Sequence, residues 1–236
     1  MLLMIPAWNE AESIEGVIED ARAHFERAEI LVVDDGSTDR TAALARRAGA
    51  TVASLPFNQG VGAAHQTGYI YALENGYGVC GQIDADGQHP AAELVPLVAA
   101  ITGGEADLVV GSRFAEASGY RASFARRIGQ RLFSMLVSTS TRQTFTDTTS
   151  GMRALNGKTM ELFARRYSSE FAEVESLQQA VRAGLTVKEM PVRMVAREQG
   201  SSFITPFGSA FYLFKTLTVL LVGHLRPGKV SPEVKP

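Results

Sequence analysis

Residues 82–90 read Gln-Ile-Asp-Ala-Asp-Gly-Gln-His-Pro, which places two carboxylates directly after an apolar-leaning run that begins at Gly78. The run predicts a buried strand, and Asp-Ala-Asp-Gly predicts the turn at its carboxyl end. Open α/β sheets bind their ligands at the carboxyl edge of the strands. Carboxylate oxygens suit Mg²⁺ or Mn²⁺, which proteins commonly hold with one or two carboxylates and the phosphates of a substrate. The stretch therefore indicates a divalent metal bound against a diphosphate.

Strand and helix patterns alternate on both sides of this stretch. Continuous apolar runs and helical spacing of apolar residues predict strands at 1–6, 30–33, 50–55 and 107–111, and helices at 14–25, 41–48, 61–75 and 93–101. Repeated β-α units of this length predict an α/β fold, in which a mostly parallel, doubly wound sheet carries helices on both faces.

Local signals add detail to this pattern. Asn9 is placed to cap the first helix, with Glu12 reaching back as in a capping box. Pro96 predicts a kink or a restart in the helix after the two carboxylates. The second half is less regular: it predicts strands at 152–155 and 187–192 and helices at 157–166 and 173–183. Pro191 suits either an edge strand or the end of the last strand.

The composition describes a folded globular protein. Hydrophobic residues make up 45% of the 236 residues and charged residues 20%, and the formal net charge of −2 gives no reason to expect nucleic-acid binding. Cys80 is the only cysteine, so an internal disulfide and a cysteine-based zinc site are excluded. The start of the chain lacks the basic region and long apolar core of a signal peptide, and no uninterrupted apolar stretch predicts a spanning helix.

A second carboxylate pair, Asp34-Asp35, ends another predicted strand. Two such pairs at the same sheet edge are electrostatically unfavourable unless a cation or hydrogen-bond donors compensate. The arrangement therefore favours a metal or ligand site, although an Asp-x-Asp pair alone more often caps a turn. Asp34 is suited to accept hydrogen bonds from a ribose or a base, whereas residues 35–38 alternatively only build the turn.

Several motifs occur in order along the chain: IPAWNE at 5–10, VDDGSTD at 33–39, NQGVG at 58–62, DADGQHP at 84–90, GSRF at 111–114, DTTSGMR at 147–153 and REQGSS at 197–202. Together they resemble the family 2 glycosyltransferases of the dolichyl- and polyprenyl-phosphate sugar transferase group. The resemblance covers about residues 2–225. It implies a GT-A fold and an inverting transfer of a sugar from a nucleotide-diphosphate donor.

The resemblance also implies residue roles on the donor side. The nucleotide sugar would be bound by Pro6, Ala7, Trp8, Glu10, Asp34, Asp84, Ala85, Asp86 and Arg197, and the metal, Mg²⁺ or Mn²⁺, by Asp84, Asp86 and Gln88. Trp8 stands where relatives commonly have tyrosine or phenylalanine, so the pocket wall differs there. The alternative for Trp8 is a partly buried core aromatic.

On the acceptor side, the resemblance implies arginines that hold the phosphate of a polyprenyl phosphate, namely Arg113 and Arg126. Arg127 takes the place of Arg126 if the family pattern aligns one residue later. Such a phosphate is ionised at neutral pH, so positioning and electrostatics suffice and no strong general base is needed. Asp86, Arg113 and Asp147 are the predicted catalytic residues, with Asp147 orienting the acceptor or supporting the arginines. Alternatively, Arg126-Arg127 is a solvated helix face and Asp147 caps a turn.

Residues 205–226 form an apolar segment after the catalytic domain of residues 1–204, and residues 227–236 predict a loose tail. The segment predicts a helix at the membrane interface, with Lys215 and Arg226 reaching lipid headgroups. The alternative is a helix that packs on the core of its own chain or pairs with a second copy. In the second case the protein would be a homo-oligomer. A lipid acceptor implies peripheral attachment to the cytoplasmic face of the membrane, through the lipid surface or a small membrane-protein partner.

Two other functions remain open at this point. The first is a family 2 enzyme that extends a saccharide, or another hydroxyl acceptor, with a general base. The second is a non-catalytic subunit that only binds a nucleotide sugar. The donor sugar and its base are not readable from these residues, because different nucleotide sugars would use the same carboxylates and metal.

Overall fold

The computed structural model describes residues 1–115, 143–167 and 172–195, together with 134–135, 137–139 and 141. Within them, strands β1 to β7 span Leu2–Ala7, Glu29–Asp34, Thr51–Ser54, Val79–Gln82, Leu108–Ser112, Arg153–Asn156 and Val187–Pro191. Helices α1 to α6 span Ile14–His24, Thr41–Arg47, Val61–Glu74, Ala91–Thr102, Gly157–Arg165 and Ala172–Arg182. The predicted arginines Arg126, Arg127 and Arg197 and the segments 205–226 and 227–236 lie outside the described residues.

The strands form one seven-stranded sheet in the order β3-β2-β1-β4-β6-β5-β7. All neighbouring pairs are parallel except those of β6, which runs antiparallel to both β4 and β5. The predicted mostly parallel α/β sheet is therefore confirmed, and β7 lies at the edge, with Pro191 as its last residue. Because β6 is reversed, its first residue Arg153 pairs with Gln82, the last residue of β4. The loop that precedes β6 consequently lies at the carboxyl edge of β4.

Both faces of the sheet are covered. In β1, Leu3 and Ile5 belong to an apolar cluster with residues of α1 and α4, whereas Leu2 and Met4 belong to a second cluster with residues of α3, α5 and α6. All four side chains are fully buried. This arrangement explains why β1, an interior strand, reads as a continuous apolar run rather than an alternating one.

The predicted capping box at Asn9 is wrong, and of the kink or restart predicted at Pro96 the restart is wrong. Helix α1 begins at Ile14, with Ser13 at its N-cap position, and Asn9 lies well before it with a left-handed φ of 54°. The Asn9 side chain instead accepts a hydrogen bond from the Thr38 backbone N–H, so it joins two loops and forms no capping box. Helix α4 continues through Pro96 without a restart, held by the buried Leu94 and Leu97 on either side.

No helix in the described part of the chain combines the length and apolar character needed to cross a bilayer.

A buried histidine in α3 should make the fold sensitive to acid. His65 packs against the rings of Tyr69 and Tyr167, and burial lowers the pKa of His65 to about 3, from an ordinary value of 6.5. Between these two pH values the unfolded chain binds a proton that the folded chain does not, so stability falls as the pH drops below 6.5.

We expect this one group to cost about 2 kcal/mol of folding free energy between pH 7 and pH 5. Urea unfolding of the wild type and of His65→Gln at both pH values measures the effect. The variant should lose about that much less stability on acidification, while His24→Gln, at a more exposed histidine of α1, should behave like the wild type. Equal losses in the wild type and His65→Gln would contradict this assignment.

Candidate active site

The loops after β1 and β2 are tied together at the carboxyl edge of the sheet. The Asn9 backbone N–H donates to Ser37 Oγ at 2.9 Å, and the Glu10 backbone N–H donates to Thr41 Oγ1 at 2.8 Å. These bonds hold the segment that contains Trp8 and Glu10 in place. The Trp8 side chain is 37% exposed, so it forms part of the surface at this edge and is not a core aromatic.

Asp34 and Asp35 are both buried but have separate partners. Asp34 Oδ1 accepts a hydrogen bond from Ser37 N within its own turn, at 3.1 Å. The Asp35 carboxylate accepts from Gln59 N at 2.7 Å and from Gly60 N at 2.9 Å. Asp35 therefore anchors the loop that leads into α3, and only Asp34 stays at the end of β2 as a candidate ligand group.

Asp84 and Asp86 follow β4 and lie close enough for their charges to interact. Desolvation, together with the charge of Asp86, raises the pKa of Asp84 to about 7. The Asp84 side chain is nonetheless 39% exposed, so its carboxylate is accessible from solvent. Asp86 Oδ1 accepts from Gln88 N at 3.0 Å, which closes the turn. The two carboxylates thus repel each other, and a bound cation would relieve that repulsion.

His89 supports this turn without neutralising it. Its ring is buried, and Nδ1 accepts a hydrogen bond from the Asp84 backbone N–H at 3.1 Å. Burial lowers the pKa of His89 to about 4, so the ring is neutral near pH 7. Nδ1 lies 3.4 Å from Asp84 Oδ2 but contributes no positive charge there. A cavity of about 420 Å³ opens beside Asp86 and His89, towards the start of α1.

Gly151, in the loop before β6, lies directly against Asp84. A Cβ atom on Gly151 would lie 2.3 Å from Asp84 Oδ1 and 2.6 Å from Oδ2. The Gly151 carbonyl accepts from Gln82 Nε2 at 2.9 Å, and Gln82 Oε1 accepts from the buried Tyr69 hydroxyl at 2.6 Å. The position of Asp84 therefore depends on a glycine with no local signal of this role in the sequence, because the contact arises only from the reversed strand β6.

Arg113 and Asp147 form a tight pair at the end of β5. The fully buried Asp147 carboxylate accepts from Arg113 N at 3.0 Å, from Nε at 2.6 Å and from an Nη at 2.8 Å. The same Nη donates to Thr149 Oγ1 at 2.8 Å. Hydrogen bonds between guanidinium and carboxylate groups are among the strongest hydrogen bonds in proteins. Asp147 therefore orients Arg113, whose positive charge offsets part of the rise in the pKa of Asp84.

The remaining predicted residues that the structure describes at this edge form hydrogen bonds through their backbone groups or are buried. Pro6, Ala7 and Ala85 are buried, and the Ala7 carbonyl accepts from Asp35 N at 2.8 Å. Gln88 donates its N–H to Asp86 and accepts from Val195 N at 3.2 Å through its carbonyl. The structure thus brings the donor-side residues that it describes, all of them except Arg197, to one edge of the sheet and places Arg113 and Asp147 at the same edge.

The carboxylates fit a divalent metal that is shared with a diphosphate. Within the described residues, no group of three or more His, Cys, Asp or Glu side chains is placed to enclose a metal ion. Mg²⁺ does not need such a cage, because it is commonly held by one or two carboxylates together with substrate phosphates. Burial and the charge of Asp86 raise the pKa of Asp84 more than the charges of Arg113 and Arg153 lower it, so a bound cation would stabilise the ionised pair.

The chain is similar in sequence to known glycosyltransferases. The model of glycosyl transferase family 2 matches residues 3–161. The chain is 32% identical to the polyprenol monophosphomannose synthase of Mycolicibacterium smegmatis, over 95% of this chain and 88% of the relative. It is 31% identical to the undecaprenyl-phosphate mannosyltransferase of Micrococcus luteus, over 86% of each chain.

The fold is also found among solved structures. Glucosyl-3-phosphoglycerate synthase from Mycobacterium tuberculosis, in complex with Mn²⁺ and UDP-glucose, superposes with a TM-score of 0.71 over 94% of this chain and 78% of that chain. The identity is 22%, so this likeness concerns the fold alone. The sheet topology, the family match and the relatives agree: the chain belongs to glycosyl transferase family 2 and is a glycosyltransferase with a GT-A-like fold.

Proposed function

We propose that this glycosyltransferase moves a sugar from a nucleotide-diphosphate sugar to the phosphate of a polyprenyl phosphate, with inversion and with the help of Mg²⁺ or Mn²⁺. The observation that carries the proposal is that Asp84 and Asp86 follow β4 at the sheet edge, while Asp147 holds Arg113 at the end of β5, close enough for its charge to act on Asp84. The names of the relatives from M. smegmatis and Micrococcus luteus support the same acceptor class.

On the donor side, Asp84 and Asp86 would hold the metal against the diphosphate, with Gln88 beside them. The bound metal would supply Lewis-acid stabilisation of the charge that develops on the leaving nucleoside diphosphate. Trp8, Glu10 and the end of β2 at Asp34 would bind the nucleoside, since their loops are joined by hydrogen bonds at the same edge. Pro6, Ala7 and Ala85 would shape this pocket through their backbone, and Arg197 would add charge to the diphosphate.

On the acceptor side, Arg113 would bind the acceptor phosphate, with Arg126 or Arg127 completing the cationic cradle. Guanidinium groups match phosphate oxygens in charge and geometry. The oxygen of such a phosphate is already ionised, so it attacks the sugar in a single in-line displacement without losing a proton. Asp147 fits this chemistry as an orienting group, because both of its oxygens accept hydrogen bonds from Arg113.

The membrane attachment of the enzyme is part of the proposal. A polyprenyl-phosphate acceptor resides in a bilayer, so the enzyme would act at the cytoplasmic membrane surface. The apolar sequence of residues 205–226 would provide the attachment, alone or with a small membrane-protein partner.

Replacing Arg113 with lysine tests the acceptor assignment. Lysine keeps the charge but loses the fork that pairs with Asp147, so the acceptor KM should rise about tenfold or more, from a loss of about 1.5–3 kcal/mol in charged hydrogen bonds. The dissociation constant of the nucleotide sugar should change by about twofold or less. Initial rates against a polyprenyl phosphate, at saturating donor, measure the first quantity, and calorimetric titration measures the second.

Arg47→Lys is the matched control, because Arg47 forms an exposed ion pair with Glu15 on α1. Its kinetics should equal those of the wild type. If Arg113→Lys weakens donor and acceptor equally, Arg113 does not bind the acceptor phosphate in particular.

A further inference from the structure

Glu189, on the edge strand β7, binds the loop that carries Asp147. Its Oε2 accepts hydrogen bonds from Thr146 N at 2.7 Å and Thr146 Oγ1 at 3.0 Å, and its Oε1 accepts from Asp147 N at 2.8 Å. Glu189 lies opposite Val110 in the register of β5 and β7. One carboxylate therefore fixes two consecutive residues of a loop that has no strand of its own at this point.

From these contacts we infer that Glu189 is a positioning residue for Arg113, an inference that rests on the proposed role of Arg113. The first connection runs through Asp147, whose backbone is held by Glu189 and whose carboxylate holds the Arg113 guanidinium. The second runs through Thr146, whose hydroxyl lies 2.6 Å from Ser112 Oγ. Ser112 immediately precedes Arg113, so the first connection reaches the Arg113 side chain and the second reaches the residue next to it.

The chemistry of this contact requires a carboxylate. Two backbone N–H groups point at the two oxygens of Glu189, and a carboxylate is an acceptor at both positions. A glutamine of the same shape offers only one oxygen, and its NH₂ group would face one of the N–H donors. The loop would then shift away from β7, and Asp147 and Arg113 would shift with it.

Glu189→Gln should therefore raise the acceptor KM about tenfold, which corresponds to about 1.4 kcal/mol. The dissociation constant of the nucleotide sugar should stay within about twofold, because the donor loops after β1 and β2 are held by other bonds. Amide hydrogen exchange at Thr146 and Asp147 should become faster, which is a readout that needs no substrate. Steady-state kinetics with a polyprenyl phosphate, donor titration and exchange mass spectrometry measure the three quantities.

Glu105→Gln is the matched control. Glu105 lies near the same strand but is exposed and pairs with Lys188 at 3.0 Å, so its replacement should leave all three measurements unchanged. Should Glu189→Gln fail to fold, Thr146→Val is the second variant, which removes the hydroxyl contacts to Glu189 and Ser112. It should raise the acceptor KM about threefold, because the loop loses one of its three hydrogen bonds to the Glu189 carboxylate and keeps the two from backbone N–H groups.

The outcomes separate this inference from the proposed function. If Arg113→Lys raises the acceptor KM but Glu189→Gln, or Thr146→Val in its place, does not, the positioning role of Glu189 is overturned and the proposed function stands. If Glu189→Gln weakens donor and acceptor equally, Glu189 only stabilises the fold and the inference is again overturned. If Arg113→Lys leaves the acceptor KM unchanged, Arg113 does not bind the acceptor phosphate, and the inference about Glu189, which rests on that role, is overturned with it.

Discussion

A Gly151→Ala enzyme is expected to stay folded and to lose about a hundredfold in kcat/KM for sugar transfer. The added Cβ would lie 2.3 Å from Asp84 Oδ1, a distance that no carbon–oxygen contact sustains, so the carboxylate must move. A displacement of about 1 Å in a catalytic constellation costs about a hundredfold in rate. Initial rates give the loss of activity, and circular dichroism with thermal melting shows that the variant is folded.

Gly157→Ala is the control for this substitution. Gly157 begins α5, and a Cβ there would meet nothing within 4 Å, so the variant should be fully active. If Gly151→Ala keeps activity within about threefold of the wild type, the position of Asp84 does not limit catalysis. The donor-side account would then be wrong, even with the fold unchanged.

Asp86→Asn is expected to abolish both metal-dependent donor binding and transfer. The amide preserves the acceptor for Gln88 N but removes the charge that a divalent metal requires. In a thermal-shift screen of nucleotide sugars with Mn²⁺, the wild type should be stabilised by its donor, because a ligand that binds only the native state raises the melting temperature. The variant should show no such rise.

The melting temperature of Asp86→Asn without metal or donor is a second measurement. The charge of Asp86 raises the pKa of Asp84, so removing that charge should leave the ligand-free melting temperature unchanged or slightly higher above pH 7. Glu12→Gln, in the same cavity wall, is the control and should keep the Mn²⁺-dependent shift. A normal donor-induced shift in Asp86→Asn would exclude Asp86 from the metal site.

The parallel part of the fold could be predicted because its signals are local. A strand buried on both faces has no reason to alternate polar and apolar residues, so β1, β2 and β5 read as continuous apolar runs. The turn after β4 carries its carboxylates in the sequence itself. The sheet edge on which Asp84 and Asp86 lie therefore followed from the order of strands and helices, before any side-chain contact was known.

The antiparallel strand β6 could not be predicted in the same way. Arg153–Asn156 is short, and nothing in its composition says that it inserts between β4 and β5 in the opposite direction. Its reversal brings Gly151 against Asp84. The contact of Glu189 with residues 146–147 depends on a strand that follows much later in the chain. Such contacts are set by tertiary pairing, which has no local signature.

Neighbouring polar residues also acquired roles that the sequence left open. Asp34 and Asp35 are adjacent, but Asp34 ends a strand and bonds its own turn, whereas Asp35 bonds the loop before α3. Asn9 has the right residue type for a helix cap, yet its side chain bonds Thr38 in another loop. Both Asn and Asp side chains compete for nearby backbone groups, and the tertiary fold decides which group they bind.

The most direct test of the proposed function is a choice between acceptors. The protein would be incubated with Mn²⁺, the nucleotide sugar that stabilises it, a polyprenyl phosphate in detergent and a panel of free saccharides, followed by extraction of the lipid phase. The proposed function predicts that labelled sugar appears in a lipid-linked phosphodiester and that Asp86→Asn abolishes this product. Labelled saccharide without lipid-linked sugar would contradict the proposed acceptor.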